Sequence, residues 1–280
     1  MRRPSVLIQH LLPQRMMGRL VYHLARCRRN WISRPLIGWF ARRYAVDLAE
    51  AEHSRLESYA SLNDFFTRRL KAGARPLAGD ERTLISPVDG YLTRFGTADG
   101  GEMIQAKGLH YRLEELLGEP LDRVGALASG SYATLYLAPH QYHRVHLPLA
   151  GTLQRTRYIP GKRFSVNGQT AAVVPRLLCR NERVVCWFET EVGPMAVVLV
   201  GALNVSSIST VWLGEIASGR ARVWDAAGHS PREFGRGAEI GRFNLGSTVV
   251  FVHPPGQAAW RPELAPGQAV RMGQALASLP

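Results

Sequence analysis

A serine and a threonine follow a glycine at the start of an apolar run, in the sequence FNLGSTVVF of residues 243–251. The hydroxyl of Ser247 could attack the carbonyl carbon of Gly246, because the glycine leaves that carbonyl open to close approach. An N-to-O acyl shift would turn the amide into an ester, and elimination would cut the chain. The dehydroalanine left behind would hydrolyse to a pyruvoyl group. Taken alone, the same tripeptide is typical of a turn that enters a strand.

Self-cleavage of this kind needs a general base for the serine proton and a carboxylate that orients the base. The sequence HQYHRVHLP supplies three candidate bases, His140, His143 and His146, and SPVDG supplies Asp89. An aspartate before a glycine is, on its own, ordinary turn chemistry. By their chemical types, Asp89, His146 and Ser247 could form an Asp-His-Ser triad.

The three histidines also admit a second interpretation, as ligands of a metal-dependent hydrolase together with Asp89. Structural zinc needs three or four ligands that converge tetrahedrally. In a regular strand His143 and His146 would point to opposite faces, which prevents such convergence. Three cysteines without CxxC spacing add neither a cysteine-rich zinc site nor a disulfide framework. The sequence therefore favours catalysis by the side chains over a metal site.

The charge of the chain is strongly positive, with a net charge of +13 and an isoelectric point near 10.4. Such a balance indicates a polyanionic partner, which could be nucleic acid, an anionic membrane or an acidic substrate. The first 45 residues contain ten arginines and no acidic residue, interleaved with leucine, isoleucine and tryptophan. No recognised nucleic-acid motif accompanies this charge, so nucleic acid is the less favoured partner.

The basic segment has neither the uninterrupted apolar run of a spanning helix nor the pattern of a secretory signal peptide. It predicts basic amphipathic helices, with breaks at Pro13 and Pro35, that lie on an anionic membrane surface. A solvated helical face is the alternative. We expect deletion of residues 1–45 to spare self-cleavage and to weaken binding to liposomes.

The remaining pattern predicts an α+β fold. Residues 61–70 read as a short helix capped by Ser61, and residues 111–118 as a helix that ends at Gly118. From Leu84 onward, short β-branched and aromatic runs alternate with glycine and proline, which predicts a mostly antiparallel β-sandwich or barrel-like domain. Two Gly-Gln pairs in the tail, at 267–268 and 273–274, resemble the strand-turn-strand ends of lipoyl-type domains.

Several segments together resemble a known family. SPVDG, IQAKG, YHRVHLP, PGKRFSVN, NERVVCWFETEVGPMAVVLVGAL and NLGSTVV occur in the order found in phosphatidylserine decarboxylase proenzymes. The chain closely resembles the bacterial membrane-associated type, from about Leu62 to Val252, with a looser likeness at both ends.

The resemblance implies cleavage between Gly246 and Ser247, which would give a β chain of residues 1–246 and an α chain of residues 247–280. Ser247 would become a covalent pyruvoyl group, with Asp89, His146 and Ser247 as the self-processing triad. That group would form a Schiff base with phosphatidylserine, which would lose CO2 and give phosphatidylethanolamine. His143 would serve the decarboxylation step as a source of the proton.

The resemblance also implies two regions, a basic membrane-associating region at 1–75 and a pyruvoyl-dependent decarboxylase domain at 76–280. It implies an autoprocessing carboxy-lyase with no metal and no pyridoxal phosphate, bound peripherally to the cytoplasmic side of the inner membrane. The β and α chains would stay associated in a homodimer, without nucleic acid. A non-catalytic membrane-binding module and a pyruvoyl enzyme for a soluble amino acid remain as alternatives.

Overall fold

The structure is a computed structural model that describes residues 14–106, 108–202, 207–226, 232–256 and 258–280. The first part of the arginine-rich segment, with the expected break at Pro13, lies outside the described residues. Within them the chain is mixed α and β, with few, mostly short helices and mostly antiparallel sheets.

Two helices occupy the basic N-terminal segment, α1 (Gln14–Ala25) and α2 (Asn30–Arg43). The expected break at Pro35 is wrong, because Pro35 lies inside α2. A proline in a helix removes one backbone hydrogen bond and crowds the preceding turn, which commonly kinks or breaks the helix. Here the packing of Ile37 and Phe40 on the far side of the proline holds the helical path.

A five-residue helix, α3 (Leu62–Phe66), follows the one-turn 3₁₀ segment Leu56–Ser58. The predicted cap is confirmed, since Ser61 Oγ accepts from the Asp64 N–H at 3.1 Å. The helix is shorter than the predicted span of 61–70. Its Phe65 and Phe66 are buried, so the short helix serves to place two aromatic rings.

The remaining helices are one turn or little more, and one of them confirms the predicted C-cap at Gly118, which adopts the left-handed conformation with φ 65°. They are α4 (Leu113–Leu117), α5 (Leu121–Val124), α6 (Gly168–Ala171) and α7 (Leu177–Arg180), with a 3₁₀ segment at Gly125–Ser129.

The described strands carry most of the fold. In chain order they are β1 (Thr83–Ile85), β2 (Gly90–Thr97), β3 (Glu102–Ala106), β4 (Leu109–Arg112), β5 (Ser131–Leu137), β6 (Arg144–His146), β7 (Gly151–Ile159), β8 (Arg183–Thr190), β9 (Gly193–Gly201), β10 (Ser207–Thr210), β11 (Gly214–Ile216), β12 (Arg222–Asp225), β13 (Arg232–Phe234), β14 (Glu239–Asn244), β15 (Ser247–His253), β16 (Ala259–Trp260), β17 (Gln268–Val270) and β18 (Ala275–Ser278).

The largest sheet runs in the order β12-β7-β8-β9-β15-β5-β2-β17, with β13 also paired to β7. The other sheets are β11-β10-β14-β6, β1-β18-β16 and β3-β4. The barrel-like expectation is wrong for the described residues, because the large sheet ends at β12 and β17 and does not close on itself. These edge strands have four and three residues, and short edges of this kind are a common way to end a sheet.

Strand β15 lies in the interior of the large sheet. It pairs with β5 from Ser247 to His253 and with β9 from Ser247 to Val252, antiparallel on both sides. All seven of its residues are buried. This burial on both faces explains why the sequence shows a continuous apolar run rather than an alternating pattern.

Two hydrophobic clusters organise the interior. The larger one joins the sheets and includes most of the buried strand residues. The smaller one, which we call the N-terminal cluster, consists of Ala25, Ile37, Phe40, Tyr59, Leu62, Phe65, Phe66 and Leu245. Among the buried members of this cluster that the structure describes, Leu245 alone comes from beyond position 66, so it ties the N-terminal helices to the segment that enters β15.

The C-terminal tail forms β17 and β18, which do not pair with each other. Strand β17 pairs with β2, and β18 pairs with β1 and β16. The expected likeness to lipoyl-type ends is not established by these pairings and stays a prediction.

Candidate active site

Ser247 is the first residue of β15 and is 1% exposed. Its hydroxyl oxygen is buried and has no hydrogen-bond partner. A buried hydroxyl without a partner is costly, since it has lost its hydration and gained nothing in return. An unsatisfied group of this kind is what a nucleophile presents before it reacts.

The two residues before Ser247 both have positive φ values, 84° for Leu245 and 65° for Gly246. Glycine adopts this region freely, but a leucine there is strained by about 1–3 kcal/mol. The Leu245 side chain is buried in the N-terminal cluster, and this packing holds the strained turn in place. The backbone is thus bent immediately before the peptide bond that the sequence predicts to be cut.

His143 is fully buried beside this turn. Its Nδ1 lies 2.8 Å from the Gln141 carbonyl oxygen, its ring packs on Phe66 with 3.9 Å between centroids, and its Nε2 has no partner. A carbonyl can only accept, so Nδ1 carries the hydrogen and Nε2 has a free lone pair. The Phe243 N–H donates to the His143 carbonyl at 3.1 Å, which links this turn to the strand that leads to Ser247.

Burial is the largest influence on the pKa of His143 and lowers this pKa to about 3. Desolvation disfavours the charged form of imidazole, and no carboxylate compensates here. At neutral pH His143 is therefore uncharged, with its Nε2 lone pair available to receive a proton.

His146 lies in β6 and is nearly buried. Its Nδ1 is 2.8 Å from the Gly237 carbonyl oxygen, and its Nε2 is 3.0 Å from the Tyr142 hydroxyl. The Nδ1 atom therefore donates and Nε2 accepts from Tyr142. Burial lowers the pKa of His146 below its usual value, although Glu239 and Asp89 act in the opposite direction. Like His143, this histidine is neutral at neutral pH.

Asp89 is buried in the turn before β2, and its carboxylate binds Arg75. Arg75 Nε and Nη2 donate to its two oxygens at 2.8 and 2.5 Å, and the Met272 N–H donates to one of them at 2.9 Å. The turn itself packs against β6, because the His146 N–H donates to the Pro87 carbonyl at 2.9 Å.

No hydrogen bond joins Asp89 to His146 or His146 to Ser247 within the described part of the chain. Asp89 is close enough to influence the pKa of His146 through its charge, but its oxygens are held by Arg75. The structure thus brings the aspartate turn and the histidine strand together without the direct contacts of a relay. Arg75 and Tyr142 are residues that the sequence analysis did not assign to the site. Arg75 lies in no quoted motif, whereas Tyr142 stands in HQYHRVHLP beside the histidines.

The sequence predicts that His143 and His146 point to opposite faces of a regular strand, and the strand paired with β6 is irregular at this position. Strand β14 shifts register between Glu239 and Gly241, directly opposite His146 and Val145. This bulge lies in the neighbouring strand and not in β6 itself. Extra twist at a bulge is a common means of redirecting side chains near a site.

The histidines are not arranged as metal ligands. Among the described residues, no group of three or more histidine, cysteine, aspartate or glutamate side chains is placed to hold a metal ion. His143 and His146 each direct one ring nitrogen at a backbone carbonyl, and Asp89 is bound to Arg75. The ligand set expected for a hydrolase is therefore not assembled in this part of the chain.

What the site offers chemically is a buried hydroxyl, a bent backbone before it, two neutral imidazoles and a buried carboxylate held by arginine. These groups suit a proton transfer and an acyl shift in a region without water. The prosthetic group that such a shift would create fits here, because the Ser247 oxygen is unpartnered and the strand that follows it is paired on both sides.

Comparison with known proteins gives consistent relatives. The family model for phosphatidylserine decarboxylase matches residues 62–278, and a second model, described as PSD, matches residues 4–45. The chain is 48% identical over 275 residues to the phosphatidylserine decarboxylase proenzyme of Ectopseudomonas mendocina, covering 97% of this chain and 96% of the relative. It is 48% identical to that of Pseudomonas aeruginosa and 47% identical to that of Methylococcus capsulatus, with coverage of 94% or more on both sides.

Proposed function

Because the chain belongs to the phosphatidylserine decarboxylase family, we propose that it cuts itself and then converts phosphatidylserine to phosphatidylethanolamine and CO2. The observation that carries the assignment to this site is the unpartnered Ser247 hydroxyl behind two residues in the left-handed region. The activity is that of an autoprocessing carboxy-lyase.

The proposed cleavage begins when Ser247 Oγ loses its proton and attacks the Gly246 carbonyl carbon. The amide nitrogen leaves with a proton, and an ester joins Gly246 to the serine oxygen. In the elimination that follows, a base removes the Cα hydrogen of residue 247, a Cα–Cβ double bond forms, the Cβ–Oγ bond breaks and a carboxylate is released at Gly246. The dehydroalanine that remains takes up water and loses ammonia, which leaves a pyruvoyl group at position 247.

His146 is the proposed base for the serine proton. Its Nε2 lone pair, which accepts from Tyr142 in the uncut chain, is the atom that receives the proton. The hydrogen bond from Nδ1 to the Gly237 carbonyl fixes the tautomer, as a carboxylate does in other triads. Asp89 supports the imidazolium through its charge, and Arg75 keeps the carboxylate in place.

The pyruvoyl group, once formed, would take up the electron pair that remains on the substrate carbon when CO2 leaves. His143 is the proposed proton carrier for the carbon that loses CO2, through its unpartnered Nε2. Contacts with Phe66 and the Gln141 carbonyl fix the imidazole ring, so the direction in which Nε2 points is fixed as well. Burial around it keeps water from competing for the same proton.

The β and α chains are proposed to stay together after cleavage. Strand β15 pairs on both sides, and β17 and β18 pair with β2 and β1 of the long chain. The short chain therefore contributes to two sheets, and its first strand, β15, is held by strands of the long chain on both sides. We also keep the homodimer as part of the proposal, on the family resemblance.

Peripheral binding to the cytoplasmic side of the inner membrane completes the proposal. No helix within the described ranges is both long and apolar enough to cross a membrane. Four of the large hydrophobic side chains that remain exposed belong to α1 and α2, namely Leu20, Leu24, Trp31 and Trp39. Exposed arginines, among them Arg28, Arg34 and Arg42, accompany them. Such a face suits the interface of an anionic bilayer.

The proposed division into a membrane-associating region at 1–75 and a decarboxylase domain at 76–280 has support from the N-terminal cluster. This cluster is separate from the main core and is built mainly from residues before position 67. Leu245 is the exception, and through its side chain the packing of the N-terminal cluster includes a residue of the proposed decarboxylase domain.

The test of the proposed function is the intact mass of the purified protein, with carbonyl labelling and CO2 release from phosphatidylserine vesicles. We expect two chains, 1–246 and 247–280, with the label on the shorter one. Ser247→Ala should stay uncut and inactive. Thr248→Ala, which removes the neighbouring buried hydroxyl, is the matched control and should be cut. An active, uncut chain with an ordinary serine at 247 would contradict the proposal.

A further inference from the structure

Arg68 is a buried cation whose charge is not neutralised. The residue is 5% exposed, and its Nε and Nη1 atoms are buried without hydrogen-bond partners. Its Nη2 donates to the carbonyl oxygens of His140 at 2.8 Å and Gln141 at 3.3 Å. Among the residues that the structure describes, no carboxylate forms an ion pair with it. Burial accordingly lowers the pKa of Arg68.

An arginine in this state is expensive for the fold. A buried charge is normally paired, because removal from water costs several kcal/mol that only an opposite charge or full hydrogen bonding offsets. A guanidinium presents a planar fork of N–H donors that matches carboxylate and phosphate oxygens. Two buried nitrogens of such a fork without partners are therefore donors that suit an oxyanion.

Arg68 lies next to the proposed proton carrier. Its Nη2 and the Nδ1 of His143 are 3.3 and 2.8 Å from the same oxygen, the Gln141 carbonyl, so these nitrogens are at most about 6 Å apart. In phosphatidylserine three bonds separate the carbon that loses CO2 from phosphorus, a span of roughly 4 Å. A residue that serves that carbon and a residue that holds the phosphate must therefore be close neighbours in the site, as His143 and Arg68 are.

A basic cavity of about 420 Å³ gives an anionic head group a way toward this position. It is lined by Thr67, the residue before Arg68, and by Arg144, the residue after His143. Arg28 and Arg242 also line it, and Arg28 follows helix α1 with its exposed hydrophobic side chains. The cavity thus lies between the end of α1 and the chain neighbours of Arg68 and His143, whose own side chains do not line it.

On the basis of the proposed function, we propose that Arg68 is the oxyanion-binding residue of the mature enzyme and that its ligand is the phosphate of the substrate head group. Cleavage creates a second oxyanion of the same chemistry, the new carboxylate of Gly246, whose neighbour Leu245 packs in one cluster with Phe65 and Phe66. The phosphate is the favoured source because it is the anion that the substrate carries close to the carbon served by His143, and Arg68 lies beside His143.

The test uses the full chain with Arg68→Gln and Arg68→Lys, and exposed Arg55→Gln as the control that removes a charge from the same region. The processed fraction is read by mass, and KM and kcat are measured on mature protein against the mole fraction of phosphatidylserine in mixed micelles. Melting temperatures are compared for the mature protein and for the uncut Ser247→Ala chain carrying the same Arg68 substitution.

Phosphate binding predicts that KM rises at least tenfold in Arg68→Gln while kcat changes less than about threefold, because the phosphate takes no part in the bond changes. Arg68→Lys keeps the charge and a donor for the carbonyls, so it should mature, melt within about 3 °C of the parent and show a smaller rise in KM. If Arg68→Gln fails to fold, Arg68→Lys decides the question: a KM above that of both the parent and Arg55→Gln, with kcat changed less than about threefold, supports phosphate binding, and an unchanged KM overturns it.

Binding of the Gly246 carboxylate instead predicts an unchanged KM and a lower melting temperature of the mature form only. Unchanged KM together with equal melting shifts in the mature and uncut forms would overturn the proposal and make Arg68 a structural clamp. Failure of the proposed function would be visible separately, since the parent chain itself would then stay uncut or inactive on phosphatidylserine.

Discussion

At the scale of single residues, the site is marked by polar atoms that the fold leaves unsatisfied. Ser247 Oγ, His143 Nε2 and two nitrogens of Arg68 are all buried without partners. Native proteins satisfy nearly all such groups, so each exception calls for a reason. The proposed reaction would use the Ser247 hydroxyl, the His143 lone pair and the Arg68 donors, which gives one common reason why these atoms are left without partners.

His143 allows a residue-scale prediction about acid stability. Its pKa, lowered to about 3 in the folded chain, is near 6.5 when unfolded, so the unfolded state binds the extra proton between these values. The free energy of unfolding must therefore fall as the pH drops below 6.5. Between pH 7 and pH 5 this one group should cost about 2 kcal/mol.

The measurement is chemical denaturation at pH 7 and pH 5 of the uncut Ser247→Ala chain, with and without His143→Asn. The asparagine chain should lose about 2 kcal/mol less than its parent over this range. Burial also lowers the pKa of His146 and of His253, so both chains keep part of their acid sensitivity. Exposed His110→Asn is the control. Equal losses in the His143 pair would refute the prediction.

At the scale of elements, the turn between β14 and β15 depends on the N-terminal helices. Leu245 has φ 84° and is buried with Ile37 and Phe40 of α2. The sequence alone predicts that deletion of residues 1–45 spares self-cleavage. The structure gives a reason to expect slower cleavage, because the deletion removes part of the packing that holds the strained turn.

Leu245→Ala tests this dependence without deleting a helix. Loss of the anchoring side chain should slow self-cleavage roughly tenfold to hundredfold, because small errors in the placement of the Gly246 carbonyl are costly to the attack. The rate is measured from the appearance of the short chain after synthesis or refolding.

Leu62→Ala is the matched control, since it removes the same side chain from the same cluster. Both changes should destabilise the protein by about 2–5 kcal/mol, as truncation of a buried leucine does. Only Leu245→Ala should slow cleavage beyond this shared effect. Equal slowing in both variants would show that the stability of the cluster matters and the anchoring of Leu245 does not.

The sequence predicted structural elements correctly where the residues that determine them are neighbours in the chain. The cap at Ser61, the left-handed Gly118 and the buried run of β15 all follow from neighbouring residues. Pro35 was misread because tertiary packing keeps the helix together around it. The openness of the large sheet could not be foreseen, because strand order depends on pairings between distant segments.

The site was only partly predictable for the same reason. Motifs pointed to Asp89, His143, His146 and Ser247, and the structure buries all four. Arg75, the partner of Asp89, comes from a position that carries no pattern, and Tyr142, the partner of His146, stands in the YHRVHLP motif without a signal for its contact. Both contacts are visible only in three dimensions, as are the unpartnered nitrogens of Arg68.

At the scale of the whole molecule, the proposed membrane binding would unite the basic segment with a lipid substrate. Trp31 and Trp39 of α2 are 72% and 53% exposed. Tryptophan is well suited to the bilayer interface, where its ring is buried and its N–H stays hydrated. Trp39 makes an edge contact with the Tyr44 ring, but most of both tryptophan side chains is exposed and therefore available to lipid.

The double change Trp31→Ser/Trp39→Ser should weaken binding to anionic vesicles roughly tenfold or more, through the loss of buried apolar area. Self-cleavage should continue, because neither side chain contributes to the N-terminal cluster. Cosedimentation at low and high salt measures both contributions, since only the arginine part is screened. The control is Val211→Ser/Val223→Ser, exposed residues of the sheet region. Equal binding of both variants would count against the proposed membrane face.

The position of β15 inside the large sheet has a consequence for quality control. Ser247 pairs with Leu137 on one flank and Gly201 on the other, residues far apart along the chain. A polypeptide that has not yet assembled these neighbours cannot hold the turn before Ser247 in its bent form. Cleavage would then occur only in molecules that had assembled these strands. The fraction of cleaved chain in a crude extract would therefore measure how many molecules had folded and matured.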